Sequence, residues 1–147
     1  MMPSDHMLYG FIAALIILFL FPEIGAYGLL IIFLSSVLID ADHYLYYVYK
    51  TRDFNLSNAV DFYLKMKNEQ KSSKKSAKEP LMIFHTAEFW LLLFILSFFN
   101  EVFAYVLAGI LIHVFLDIFH MRKHGVLHVR HHSILRYYFY HRRLSIL

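Results

Sequence analysis

Four apolar runs alternate with polar segments along the chain, and this pattern predicts four helical spans. The runs cover about residues 7–22, 24–49, 81–99 and 102–121. A hydrocarbon core is about 30 Å thick and an α-helix rises about 1.5 Å per residue, so runs of this length suit membrane crossing. The pattern predicts an all-α integral membrane protein with a single membrane domain over residues 1–147.

The polar segments predict the orientation of these spans. The loop 50–80 and the tail 122–147 contain all 14 Lys and Arg residues. Positive charge concentrates in cytoplasmic segments, and four spans return the chain to its starting side. We therefore expect both termini in the cytoplasm of a prokaryotic-type plasma (inner) membrane.

The same basic segments predict the partners of the protein. The first half of the loop has helical spacing of apolar residues, and the tail mixes Arg with Tyr and Phe, which is typical of membrane interfaces. Basic clusters beside apolar spans favour anionic lipid headgroups over nucleic acid. We expect membrane lipids as partners and no nucleic acid.

Composition narrows the possible chemistry. The chain is 59% hydrophobic and contains ten His and no Cys. Disulfides, iron–sulfur clusters and thiolate zinc sites are therefore excluded, and any metal must be held by nitrogen and oxygen ligands. Neither a Gly-rich phosphate loop nor a G-x-S-x-G motif is present, so P-loop and serine-hydrolase chemistries have no support.

Ionisable side chains interrupt three of the apolar runs near their predicted cytoplasmic ends. Charged groups at membrane depth cost about 2.5–3.5 kcal/mol each on insertion scales, and they usually serve function. We expect these groups to meet in one slab and to surround one or two divalent ions. They are Asp40, Asp42 and His43 in the second span, His85 and Glu88 in the third, and His113, Asp117 and His120 in the fourth.

Helical spacing pairs most of these residues. His113 and Asp117 are four apart and share a face, and Asp40 and His43 are three apart. Asp42 lies about 200° from Asp40 on an ideal helix. Either the helix is distorted there, or one aspartate orients a histidine instead of binding the ion. The alternative to a metal is that these groups only hydrogen-bond across helices.

Three sequence elements resemble a known family. They are the D-x-D-H element Asp40–His43, the central element Phe84–Glu88, and the H-x-x-x-D helix Gly109–Asp117. Together they resemble the small membrane-bound predicted metal-dependent hydrolases related to the LexA-regulated inner-membrane proteins. Many relatives carry H-R-G-x-T-H-S in the central element, where this chain has Glu88 and no second histidine.

The leading hypothesis is a membrane-embedded metallohydrolase that acts on a lipid or lipid-linked ester or phosphoester. Zn²⁺ is the preferred ion, and Mn²⁺ or Fe²⁺ also suits imidazole and carboxylate ligands. Such an ion lowers the pKa of a bound water toward about 7. We expect Glu88 and Asp40 to be the catalytic carboxylates, with Glu88 as the base.

Two further hypotheses stay open. His120, His124, His128, His131 and His132 are spaced like the histidine boxes of di-iron lipid desaturases and hydroxylases. The other hypothesis is a non-enzymatic membrane protein that binds metal or conducts ions or protons. With four spans, a pore would require oligomerisation.

Overall fold

The computed structural model describes residues 3–72, 80–125 and 132–144, and within these ranges all regular structure is helical. Two short 3₁₀ turns cover Pro22–Ile24 and Ile83–His85. The α-helices are α1 (Pro3–Leu20), α2 (Gly25–Leu38), α3 (Ala41–Thr51), α4 (Leu56–Ser72), α5 (Ala87–Ser97), α6 (Glu101–Lys123) and α7 (Ile134–Leu144). The all-α prediction is confirmed.

Two helical stretches are long and apolar enough to cross a membrane. They are Pro22–Thr51, which joins α2 and α3, and Glu101–Lys123, which is α6. Only 22% and 28% of their most apolar windows are buried inside the protein, so most residues in these windows keep some exposed surface. Two shorter apolar helices, Ser4–Leu20 and Ala87–Ser97, accompany them.

The second and third predicted spans differ from the observed helices. The α-helix is interrupted between Leu38 and Ala41, where Asp40 has ψ near −1° and its carbonyl accepts the His43 N–H at 3.1 Å. The sequence analysis offered two explanations for the Asp40–Asp42 spacing, and a distorted helix is one of them.

The helix predicted over 81–99 begins only at Ala87. Thr86 has an extended backbone, and both its amide and its hydroxyl donate to the Ile83 carbonyl, at 3.1 and 2.7 Å. In an α-helix the Ala87 amide would occupy that carbonyl. At about 1.5 Å per residue, α5 is about 16 Å long, roughly half of a ~30 Å hydrocarbon core.

The chain divides into two compact units. Unit 1 consists of Met1–Ile39 and Ala87–His120, and unit 2 of Asp40–Thr86 and Met121–Leu147.

Small residues allow close helix packing in unit 1. A Cβ added at Gly109 of α6 would lie 2.3 Å from the Ile32 carbonyl oxygen of α2, and one added at Gly10 of α1 would lie 2.3 Å from Ser36 Oγ of α2. Small residues at helix interfaces permit such approach and are typical of membrane helix pairs. His6 and Ala14 lie on the same face of α1 as Gly10, one turn to either side of it, and both are buried.

Unit 2 is built on the packing of α3 against α4. The Tyr63 hydroxyl of α4 donates to the His43 carbonyl at 2.9 Å, and Tyr47 of α3 packs its ring against Phe62 at 5.5 Å between centroids. Asn55 accepts the amides of Ser57 and Asn58 and so caps the start of α4.

The turn between α3 and α4 is held by Asp53. Its carboxylate accepts hydrogen bonds from the Tyr47 hydroxyl, the Asn55 amide and the Asn58 side chain. These donors, the Tyr47 hydroxyl first, hold the pKa of Asp53 below its ordinary value because they stabilise the charged form.

Candidate functional site

The first group of candidate ligands lies in unit 2 and is called the Asp40 cluster: Asp40, Asp42, His43 and His85. Asp40 occupies the helix interruption before α3, and Asp42 and His43 lie in the first turn of α3. His85 ends a 3₁₀ turn and is 1% exposed. The N-terminus of α3 favours carboxylates because its backbone N–H groups carry partial positive charge.

Three side chains of this cluster converge on one point. Asp40 Oδ1 lies 3.5 Å from His43 Nε2 and 3.7 Å from His85 Nε2. Both distances exceed the usual N–H···O range of about 2.7–3.2 Å. Ligands about 2.0–2.1 Å from a tetrahedral ion are separated by about 3.3–3.4 Å, which is close to the observed spacing. Asp40, His43 and His85 could therefore hold a metal ion.

Asp42 orients one of these ligands. Its Oδ2 accepts the Phe84 amide at 3.2 Å and lies 3.2 Å from His85 Nδ1. Because a carboxylate only accepts, His85 carries a proton on Nδ1, and in the neutral ring its Nε2 presents a lone pair toward Asp40. This is the carboxylate–histidine arrangement found behind metal ligands. The structure therefore places Asp40 toward His85 Nε2 and Asp42 behind the same ring at Nδ1.

The open side of the Asp40 cluster is formed by Asp40 and His43. Their side chains are 35% and 16% exposed, whereas His85 is almost fully buried. The His43 ring contacts Tyr63 edge-on, with 5.0 Å between ring centroids. A catalytic metal site keeps a coordination position open, and partial exposure is consistent with that requirement.

The second group lies in unit 1 and is called the Asp117 cluster: His6, His113 and Asp117. All three side chains are buried, at 3%, 0% and 6% exposure. His6 Nε2 lies 3.2 Å from Asp117 Oδ1, and His113 Nε2 lies 3.6 Å from Asp117 Oδ2. The predicted His113–Asp117 pair is therefore adjacent on one face of α6.

A backbone carbonyl fixes the tautomer of His113. Its Nδ1 lies 2.8 Å from the Ser36 carbonyl oxygen of α2, which can only accept, so Nδ1 carries the proton. In the neutral ring, Nε2 then presents a lone pair toward the Asp117 carboxylate. Two acceptors that face each other at this spacing suit a proton or a cation between them.

His6 is the residue that the sequence analysis missed. Residues 1–6 precede the first apolar run, so His6 was treated as lying outside the spans. The structure places it in α1, with its ring stacked on His113 at 3.9 Å between centroids and 14° between planes. The signal was the spacing of His6, Gly10 and Ala14, which puts the histidine on the small-residue face that packs against α2.

The remaining predicted ligands have other positions. Glu88 lies half-buried in the first turn of α5, and His120 lies half-buried in α6, three residues after Asp117. His124 is exposed in the turn after α6. His128 and His131 lie outside the described residues, while His132 lies just before α7.

Comparison with protein-family models, with curated proteins and with solved structures finds no match for this chain.

Proposed function

We propose that the protein is a membrane-embedded metal-dependent hydrolase and that the Asp40 cluster binds its ion. The observation that carries this proposal is the convergence of Asp40 Oδ1, His43 Nε2 and His85 Nε2 at spacings of 3.5 and 3.7 Å, with Asp42 behind His85. Nitrogen and oxygen ligands at this spacing favour Zn²⁺, with Mn²⁺ or Fe²⁺ as the other candidates.

The chain's own residues have separate tasks in this proposal. Asp40, His43 and His85 would hold the ion, and Asp42 keeps His85 in the tautomer that presents Nε2. A divalent ion with an open position would lower the pKa of a water toward about 7 and so provide a nucleophile. Glu88 remains the predicted base, and we expect Glu88→Gln to retain the metal and to lose turnover.

The apolar surface supports a lipid or lipid-linked ester or phosphoester as substrate. Large apolar side chains are exposed on α1, α5 and α6, including Phe19 at 84%, Leu91 at 59% and Phe115 at 71%. A soluble domain would bury such side chains, whereas lipid chains solvate them. We propose four membrane segments with both termini in the cytoplasm, and basic residues of the loop and tail as contacts for anionic headgroups.

Metal analysis combined with a substrate screen tests this proposal. The full chain is purified in detergent, and its transition-metal content is measured by mass spectrometry for the wild type, Asp40→Asn and His43→Ala. Hydrolysis is then measured in mixed micelles against phosphoester and acyl-ester lipid analogues. We expect stoichiometric metal in the wild type, a lower metal content in both variants, and loss of hydrolysis together with the metal that each variant loses.

Four results would overturn the proposal. A wild type without stoichiometric metal would exclude a metallohydrolase. A metal content equal to that of the wild type in both variants would exclude the Asp40 cluster as the site of the ion. Two irons that depend on His128, His131 and His132 would favour the di-iron oxygenase. Metal that depends on Asp40 without any hydrolysis would leave a non-enzymatic metal-binding membrane protein.

A further inference from the structure

The Asp117 cluster contains a histidine, His6, that was not among the predicted metal ligands. His6 is 3% exposed, and its Nε2 lies within hydrogen-bond distance of Asp117 Oδ1, at 3.2 Å. Burial of an imidazole and a carboxylate is costly unless each has a partner, and this contact supplies one for both.

Ring geometry argues against His6 and His113 as ligands of the same ion. Their rings are stacked, with centroids 3.9 Å apart and planes only 14° apart. An imidazole lone pair lies in the plane of its ring, so the lone pairs of two nearly parallel rings run side by side and do not converge. A metal about 2.0–2.1 Å from both nitrogens would lie far outside at least one plane.

We infer that His6 is a positioning residue that holds Asp117 as a cation ligand beside His113. His6 donates its Nε2–H to Asp117 Oδ1, which leaves Oδ2 directed toward His113 Nε2 at 3.6 Å. His113 is held in the same way from behind by the Ser36 carbonyl. Each member of the ligand pair thus has its own orienting hydrogen bond, from α1 and from α2.

This inference rests on the proposed metal chemistry and adds a second position for a divalent ion, at His113 and Asp117. It also assigns a role to α1 that goes beyond packing. The close approach of Gly10 to Ser36 brings α1 against α2, and His6, one turn before Gly10 on the same face, then reaches Asp117.

Three replacements of His6 distinguish whether its side chain acts as a hydrogen-bond donor, as a metal ligand or only as a packing group. The amide nitrogen of Gln occupies the place of histidine Nε2, whereas that of Asn occupies the place of Nδ1. We expect His6→Gln to retain Co²⁺ affinity within about threefold, and His6→Asn and His6→Leu to lose about 10–100-fold. His124→Leu, the same change at an exposed histidine, serves as the control and should leave the affinity unchanged.

Affinity and the visible spectrum of bound Co²⁺ are measured on the full chain in detergent, and thermal unfolding without metal confirms folding. Equal losses in His6→Gln and His6→Asn would overturn the inference, as would wild-type affinity in His6→Asn or unchanged affinity in Asp117→Ala. The Gln–Asn comparison stands even where His6→Leu fails to fold. Absence of Co²⁺ and Zn²⁺ binding in the wild type would overturn the proposed function together with this inference, whereas a failure confined to the His6 series would overturn the inference alone.

Discussion

The two clusters place similar side chains on opposite kinds of scaffold. The Asp117 cluster lies on regular helices, and its side chains are at most 6% exposed. The Asp40 cluster lies where regular helix stops, at the interruption before α3 and at the 3₁₀ turn of His85, and the Asp40 side chain is 35% exposed.

For the proposed function, the difference in exposure indicates which of the two clusters would be open to a substrate. Closed sites with fully buried ligands are typical of structural ions, whereas catalytic ions keep an open position. Where a helix is interrupted, backbone and side-chain groups can also point in directions that a regular helix does not allow. We therefore expect the Asp40 cluster to carry turnover and the Asp117 cluster to contribute affinity and stability.

Replacement of His85 is the strongest test of the comparison. Zinc sites supply about 10–16 kcal/mol from four ligands, so His85→Ala should cost about 2.5–4 kcal/mol, or about 70- to 900-fold in Zn²⁺ affinity. The affinity is measured by competition with a chelating dye. The matched control is His124→Ala, at an exposed histidine outside the cluster. A larger loss in the control than in His85→Ala would contradict the assignment.

Gly109→Ala tests the closed scaffold of unit 1. The new Cβ would lie 2.3 Å from the Ile32 carbonyl oxygen and 3.0 Å from the Ser36 amide nitrogen, and backbone atoms cannot rotate away. Overpacking of this kind costs about 1–3 kcal/mol in the free energy of unfolding. Gly10→Ala meets only the Ser36 side chain, whose hydroxyl can rotate, so we expect a smaller loss. Equilibrium unfolding in detergent measures both, and the reverse order would refute the packing argument.

Asp42 tests whether the open cluster depends on an orienting carboxylate. Asp42→Ala removes the acceptor for His85 Nδ1 and the Phe84 amide, and should weaken metal binding by about 10–100-fold. Asp42→Asn keeps an acceptor oxygen without the charge and should fall between the wild type and Asp42→Ala. Calorimetric titration with Zn²⁺ provides the affinities. Asp61→Ala, at an exposed aspartate of α4, is the control, and a loss equal to that of Asp42→Ala would rule out the orienting role.

Replacement of Asp53 should have the smallest effect on stability, and this effect should depend on pH. Its pKa is lowered in the folded protein, so the unfolded chain binds the proton first as pH falls. The contribution of Asp53 to stability is therefore complete above its ordinary pKa of about 3.9 and disappears as pH falls through the lower folded value. Asp53→Asn should lower the unfolding temperature at pH 7 and have no effect in strong acid. A pH-independent difference would contradict this linkage.

Spacing along regular helices made much of the fold and site predictable. The apolar runs predicted the approximate positions of α1, α2, α5 and α6, and α6, at Glu101–Lys123, matches the prediction of 102–121 closely. The contacts of His113 with Asp117 and of Asp40 with His43 follow from separations of four and three residues.

The parts that sequence did not predict depend on tertiary contacts or on local backbone. An apolar run contains no signal that a helix begins at Ala87 and not at Leu81, because the determining hydrogen bonds belong to Thr86 and Ile83. Asp42 was predicted as a ligand or an orienting group, and the contact with His85 that favours the second role depends on tertiary packing. His6 lay outside the apolar periodicity, and its role depends on how closely α1 packs against α2.

The hydrogen bond from His85 to Asp42 joins residues that are 43 apart in the sequence. The entropic cost of closing this loop determines how well the cluster tolerates changes in loop length. Closure costs grow only with the logarithm of length, so doubling the chain between the two residues would weaken closure by about 0.6 kcal/mol. Insertions or deletions between α4 and the His85 turn should therefore leave the cluster nearly intact. Homologous sites of this type are better recognised by the elements at each end of the loop than by the number of residues between them.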